Sequence, residues 1–244
     1  MGGPEVEIIP YGARAILLNW PQKIDENTLL QVLNAKKLLS DYYIKQKVYI
    51  NSAYNSILIN YISTINNIYD EILTISELIL ANNPSESNTF NSLEIPVCYE
   101  EKFGIDLQRI SDRNNLSVKE IIQLHSSAYY RVYFIGFLPG FLYLGGLDKK
   151  LSCPRLETPR QSIPAGSVAI GGDQTGIYPK SSPGGWNIIG RSPVPLFDIK
   201  NNPPTVARAG DLIRFVPIDH HQFLDIDARI KAGEYKLQIK PGND

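Results

Sequence analysis

The feature that most constrains this chain is the crowding of glycine and proline between residues 136 and 210, which hold 12 of the 18 glycines and 10 of the 17 prolines. Proline removes a backbone donor and glycine costs chain entropy, so no long helix forms there and the segment is left to strands and shaped loops. YYRVYFIGF (129–137), SVAIGG (167–172), NIIGR (187–191), PLFDI (195–199), DLIRFVPI (211–218) and EYKLQIK (234–240) read as strands. Several are apolar on both faces, as the wall of a closed or strongly curved barrel requires.

The preceding residues have a different texture. VEIIP (6–10) and RAILLNW (14–20) alternate as short strands joined through Tyr11 and Gly12. Leu29, Val32, Leu33, Leu39 and Tyr43 share one side of a helix over 25–44 that Asp25 is placed to cap. KVYINSA (47–53) and SILINYI (56–62) are two further strands, and Ile65, Ile68, Tyr69, Ile72 and Ile79 recur at helical spacing. The order ββαββα packs two helices on one face of a small sheet, an α+β layering that specifies no chemistry. The polar stretch NNPSESNTFNS (82–92) separates this unit from the rest, so two domains are expected, 1–84 and 93–244. Ser117 and Glu120 form the capping box of a helix predicted to run to about Ser127.

Composition narrows the function classes. A net charge of -1 supplies no field for nucleic acid or a membrane surface, so an anionic ligand must be met locally. Cys98 and Cys153, the only two thiols, have neither disulfide-framework nor zinc spacing, and no metal site is expected. No run approaches the roughly 20 apolar residues that span a bilayer, and MGGPEVEIIP lacks a basic segment followed by a long apolar one. A cytoplasmic location is expected. The phosphate-loop, dinucleotide, nucleophile-elbow and H-E-x-x-H signatures are all missing from the sequence.

Within the loops, the pairs Gly145-Gly146, Gly171-Gly172 and Gly184-Gly185 either turn corners in a tight barrel or present backbone N–H groups to a ligand. Arg155, Arg160, Gln174, Tyr178, Trp186 and Arg191 lie among them, types that contact anionic or amide-bearing molecules. Arg155 and Arg160 each follow a proline in PRLETPR, and their guanidinium forks suit a carboxylate or phosphate as well as they suit Glu157 or strand-end carbonyls. Trp186 is a pocket wall or a core plug. His125 falls on the apolar stripe Val118, Ile121, Ile122, Tyr129, so it is either a hydrogen-bonded core histidine or a proton carrier. His220 and His221 read as a strand exit, which would send them to opposite faces and away from joint metal binding.

The linked motifs GFLPGFLYLGGL (136–147), PRLETPR, IPAGSVAIGG, QTGIYP, SPGGW and IIGRSP, with LSVKEIIQLH before them and DLIRF after, resemble the family comprising the B-type subunit of 5-oxoprolinase, allophanate hydrolase subunit 1 and a bacterial sporulation-kinase inhibitor. Ser192 stands where that pattern has threonine, which keeps the hydroxyl. The resemblance implies a cyclophilin-like barrel for the second domain, assembly with a sister cyclophilin-like subunit and a third subunit, and ATP-driven opening of 5-oxoproline to glutamate. An unstrained five-membered lactam opens uphill near neutrality, hence the ATP, which a chain without a phosphate loop leaves wholly or partly to its partners. Carried onto this sequence, His125, Arg155 and Arg160 are the catalytic candidates, with Gln174, Tyr178, Trp186 and Arg191 as substrate contacts. The same family makes two alternatives relevant: a protein inhibitor that docks on a histidine kinase, and a subunit of an allophanate hydrolase or urea carboxylase-type system.

Overall fold

Two units divide the chain, Met1–Asn88 and Thr89–Asp244. The structure, a computed structural model, describes residues 6–23, 25–81 and 89–241; most of the boundary segment expected at 82–92 thus lies outside the described residues.

The first unit follows the predicted ββαββα order: β1 (Glu7–Pro10), β2 (Ala15–Asn19), α1 (Glu26–Tyr42), β3 (Val48–Ser52), β4 (Ser56–Tyr61) and α2 (Ile68–Ala81). Its sheet runs β1-β2-β4-β3, antiparallel throughout. Period-two alternation sends Ile16, Leu18, Ile57 and Ile59 to the face where Val32, Leu39, Ile75 and Ile79 of the helices pack, and all eight are buried. Asp25 accepts a hydrogen bond from the Thr28 amide at 2.8 Å and starts α1. The phenols of Tyr43 and Tyr61 donate to Glu71 at 2.5 and 2.9 Å, which satisfies the polar atoms at one end of this core.

The second unit comprises β5 (Asn91–Cys98), α3 (Leu107–Asn114), α4 (Val118–Ser127), β6 (Tyr129–Ile135), β7 (Leu142–Gly145), β8 (Arg160–Ile163), β9 (Ser167–Gly171), β10 (Gln174–Ile177), β11 (Ser182–Gly184), β12 (Asn187–Arg191), β13 (Leu212–Ile218), α5 (His220–Lys231) and β14 (Ile239–Pro241). Seven strands close in the order β12-β9-β10-β7-β6-β13-β5, and the Arg191–Cys98 pairing joins the two ends. This is the cyclophilin-like barrel that the resemblance implies. β5 closes it by sharing one edge: β14 pairs with its first residues and β12 with its last. Leu93, Ile95, Val132, Leu144, Val168, Ile170, Ile177, Ile189, Ile213 and Phe215 fill the interior. The capping box of Ser117 and Glu120 opens α4, which packs on β13.

Several details depart from the sequence expectations, beginning with β5 (Asn91–Cys98), β7, β8, β10 and β11, which the sequence reading does not mark as strands. α3 has no strong signal in the sequence, because LQRISDRN buries only Leu107 and Ile110. α5 occupies a stretch where no element is expected, and His220 and His221 open that helix rather than ending a strand. PLFDI forms only an isolated bridge, Phe197 to Thr205, and the strand expected over 234–240 is reduced to Ile239–Pro241. In both places Asp198, Asn201 and Gly233 turn the chain by local hydrogen bonds that compete with a ladder.

Candidate functional site

A recess of about 430 Å³ opens on the outside of the barrel between the β6–β7 turn, the loop before β8 and the β11–β12 corner. Phe137, Leu138, Phe141, Leu156, Pro159, Pro183 and Trp186 make its walls apolar, and Tyr143, Arg155, Tyr178 and Ser182 supply the polar side chains. The composition, mostly apolar with a few convergent polar groups, is that of a small-molecule site.

The floor depends on missing side chains. A Cβ at Gly171 would come within 2.6 Å of the Trp186 indole, so glycine there lets the ring lie flat on the β9–β10 hairpin. Trp186 is thus both core plug and pocket wall: it is buried, and its ring meets Phe141 edge-on at 5.6 Å. A Cβ at Gly184 would collide with the Tyr178 hydroxyl, so the second glycine-rich corner makes room for that phenol.

Arg155 is placed by its backbone. Asn187, fully buried on β12, donates to the Pro154 carbonyl at 3.0 Å, and the Leu156 amide donates to the Gly185 carbonyl at 2.7 Å. The residue between is pinned on both sides while its side chain stays exposed, with the guanidinium 5.8 Å from the centre of the Trp186 ring. Asn187 carries no mark in the sequence, since its partners lie 33 and 17 residues away.

Tyr178 is almost wholly buried, and burial pushes its phenol above the usual tyrosine range, although the Trp186 backbone N–H and the charges of Arg155 and Arg160 pull the other way. It is a neutral hydrogen-bonding group near pH 7. Ser182 is 9% exposed, and its Oγ has no hydrogen-bond partner among the described residues.

The structure brings Arg155, Tyr178 and Trp186 together and leaves the other four candidates outside the recess. Arg160 opens β8 and forms a 2.7 Å ion pair with buried Asp106, whose second oxygen accepts from the Ile188 amide at 2.7 Å. That pair ties α3 to β8 and β12; Arg160 is not among the residues that line the recess, although its backbone pairs with Gly184, which is. Arg191 donates from Nε to the Ala165 carbonyl at 2.8 Å and locks a turn. Gln174 starts β10, opposite Gly171 and at the other end of the strand from Tyr178.

His125 sits in the barrel core with no exposed surface. Its Nδ1 lies 2.8 Å from the Tyr99 hydroxyl and its Nε2 2.9 Å from Thr175 Oγ1, and its ring stacks on Phe215 at 4.5 Å. Thr175 spends its own proton on the Ala169 carbonyl, so Nε2 carries the imidazole hydrogen and Nδ1 accepts from Tyr99. Burial pushes the His125 pKa down to about 3. A buried, fully bonded imidazole of this kind matches the hydrogen-bonded core histidine of the two sequence readings, and His125 is not among the residues that line the recess.

A larger hollow of about 650 Å³ in the first unit is lined by Gln46, Tyr61, Ser63, Thr64, Asn67, Asp70 and Glu71. Its side chains bond one another, Asn67 to Asp70 at 2.6 Å and Tyr61 to Glu71 at 2.9 Å, and it lacks the apolar floor of the recess.

The sequence model of the family described as "Carboxyltransferase domain, subdomain C and D" matches residues 6–207. Over 134 residues the chain is 52% identical to the B-type 5-oxoprolinase subunit of Bacillus subtilis (strain 168), covering 54% of this chain and 56% of that protein. The chain spans about half the length of the curated relatives it matches. A conserved uncharacterized protein from Pyrococcus horikoshii is similar in structure at 39% identity and a TM-score of 0.53, over 89% of this chain and 100% of that one. The urea carboxylase of Kluyveromyces lactis has a TM-score of 0.81 at 18% identity, over 98% of this chain and 24% of that one, a likeness of fold. Among the described residues no helix is long and apolar enough to cross a membrane.

Proposed function

This chain belongs to the carboxyltransferase-domain family, subdomains C and D, and we propose that it is a subunit of an ATP-dependent 5-oxoprolinase, which opens 5-oxo-L-proline to L-glutamate. Relatives about half identical to it are named as B-type subunits of 5-oxoprolinase, which supports the activity and implies further subunits. The partners we assign are a sister cyclophilin-like subunit and a third subunit, in the cytoplasm.

The observation that carries the proposal is one recess shared by Arg155, Tyr178, Ser182 and Trp186. 5-Oxoproline is a flat five-membered lactam with one carboxylate. Arg155, exposed over Trp186, offers its guanidinium to that carboxylate or to a phosphoryl group. Tyr178 holds its proton and so donates a hydrogen bond rather than acting as a base. Trp186 and Phe141, whose rings stand nearly perpendicular to each other, bound the lactam on one side and keep water from it there, which strengthens the polar contacts inside. Hydrolysis consumes one water and breaks the lactam C–N bond, and ATP, hydrolysed to ADP and phosphate by the complex, supplies the driving force.

The test is co-expression with the two partner chains and an assay of ATP-dependent glutamate release from 5-oxo-L-proline. The complex is expected to turn over, and Arg155→Ala to lower kcat/KM roughly 10- to 100-fold, the range of a charge-assisted hydrogen bond. A complex that releases no glutamate, together with suppression of histidine-kinase autophosphorylation by the chain alone, would replace the enzyme with the inhibitor.

A further inference from the structure

Phe137 stands at the mouth of the recess with φ 64, one of two positive-φ residues other than glycine among the described residues. The other, Asn115, has a short polar side chain that tolerates this region and ends α3 as a left-handed cap. A phenylalanine has no such excuse: the left-handed conformation is strained for a bulky side chain, and strain of this kind persists only where the surroundings enforce it. They do so here through a short closed loop. The Leu138 amide donates to the Gly136 carbonyl at 2.7 Å, the Phe141 amide to the Leu138 carbonyl at 3.0 Å, and the Gly136 amide to the Phe141 carbonyl at 3.2 Å.

The strain does not serve burial. The residue is 62% exposed, and its ring only rests edge-on against Phe141, centroids 5.6 Å apart and planes at 89°. The backbone thus holds an exposed apolar ring beside an apolar recess. In the lining of the same recess, Ser182 holds a buried hydroxyl that no described group satisfies. The recess thus offers an apolar face at its rim and a hydrogen-bond donor in its lining, which fits a small planar ring bearing a carbonyl or amide. We infer that Phe137 is a specificity-determining residue that covers one face of a small planar ring bound in the recess, with Ser182 Oγ donating to an acceptor on that ring. The inference rests on the proposed 5-oxoproline site and adds what selects the ring.

The test uses the full chain and two probes, 5-oxo-L-proline and 2-pyrrolidone, which share the planar lactam ring and differ in the carboxylate. Binding is read by calorimetry, and the urea midpoint of each variant is read separately. Phe137→Ala is expected to weaken both probes on the order of 10-fold, and Arg155→Ala to weaken 5-oxo-L-proline alone. Phe137→Gly removes both ring and strain, so it is expected to lose binding equally while its urea midpoint stays at or above that of the unaltered protein. Ser182→Ala is expected to weaken both probes. If the pyrrolidone binds and responds to Phe137→Ala while 5-oxo-L-proline does not bind, the proposed substrate falls and the role of Phe137 stands. If 5-oxo-L-proline binds equally to Phe137→Ala, the role of Phe137 falls and the proposed substrate stands. Loss of urea midpoint in Phe137→Gly, or no binding of either ring, also overturns the inference.

Discussion

His125 and Arg155 lie in the same barrel unit, and both sit among aromatic rings, yet they differ in what remains unspent. Around His125 every polar atom is paired: Tyr99 donates to it, it donates to Thr175, and Thr175 donates a hydrogen bond to the Ala169 carbonyl. Around Arg155 the backbone is fixed but the side chains are left with capacity, namely an exposed guanidinium, a buried serine hydroxyl without a partner among the described residues and an exposed phenylalanine. A saturated polar cluster specifies a core, whereas an unsaturated one placed by rigid elements is available to a ligand. The difference teaches that partner accounting, not residue type, separates the two.

The largest effect expected from that contrast is on stability at low pH. With its pKa held near 3 in the folded state against 6.5 ordinarily, His125 takes up a proton more readily when the chain unfolds. Its contribution is fully present above pH 6.5 and is lost as pH falls toward 3, with a slope of up to about 1.4 kcal/mol per pH unit. Urea titrations between these limits should show that slope, and His125→Leu should flatten it while costing about 2 kcal/mol at pH 7 from the stranded Tyr99 and Thr175 hydroxyls. Next comes Asp106→Ala, which strips the partner from the partly buried Arg160 and an acceptor from the Ile188 amide. A loss on the order of 3 kcal/mol is expected in urea melts, a magnitude that would mark Arg160 as structural. Arg155→Ala should move stability by no more than about 0.5 kcal/mol while lowering turnover, the reverse of the Asp106 result. Smallest is Tyr178→Phe, where the loss of one neutral hydrogen bond should lower kcat/KM about fivefold in steady-state assays.

These contrasts also show what could be seen in the residues alone. The ββαββα unit, the capping box of α4 and the strands NIIGR and SVAIGG were legible because local periodicity and capping chemistry decide them. α5 had a signal that the adjacent histidines obscured: Asp219 and Gln222 form its capping box. The site was legible as a region and not residue by residue. Arg155 and Arg160 have the same local setting, a proline before each, and what separates them is Asp106, 54 residues upstream of Arg160. His125 is assigned to the core by Thr175, 50 residues downstream. Ser182, in a run of serine, proline and glycine, becomes notable only when the barrel buries it and leaves it unbonded. Contacts of such separation follow from how the barrel closes, and no local pattern encodes them.

The most direct test of the recess as the ligand site is amide chemical-shift mapping of the chain titrated with 5-oxo-L-proline. Saturable shifts are expected for the residues around Phe137–Tyr143, Arg155–Pro159 and Tyr178–Trp186, with Tyr99, His125 and Thr175 unmoved. Saturable shifts centred on His125, or on the Tyr61–Glu71 hollow of the first unit, would contradict the account.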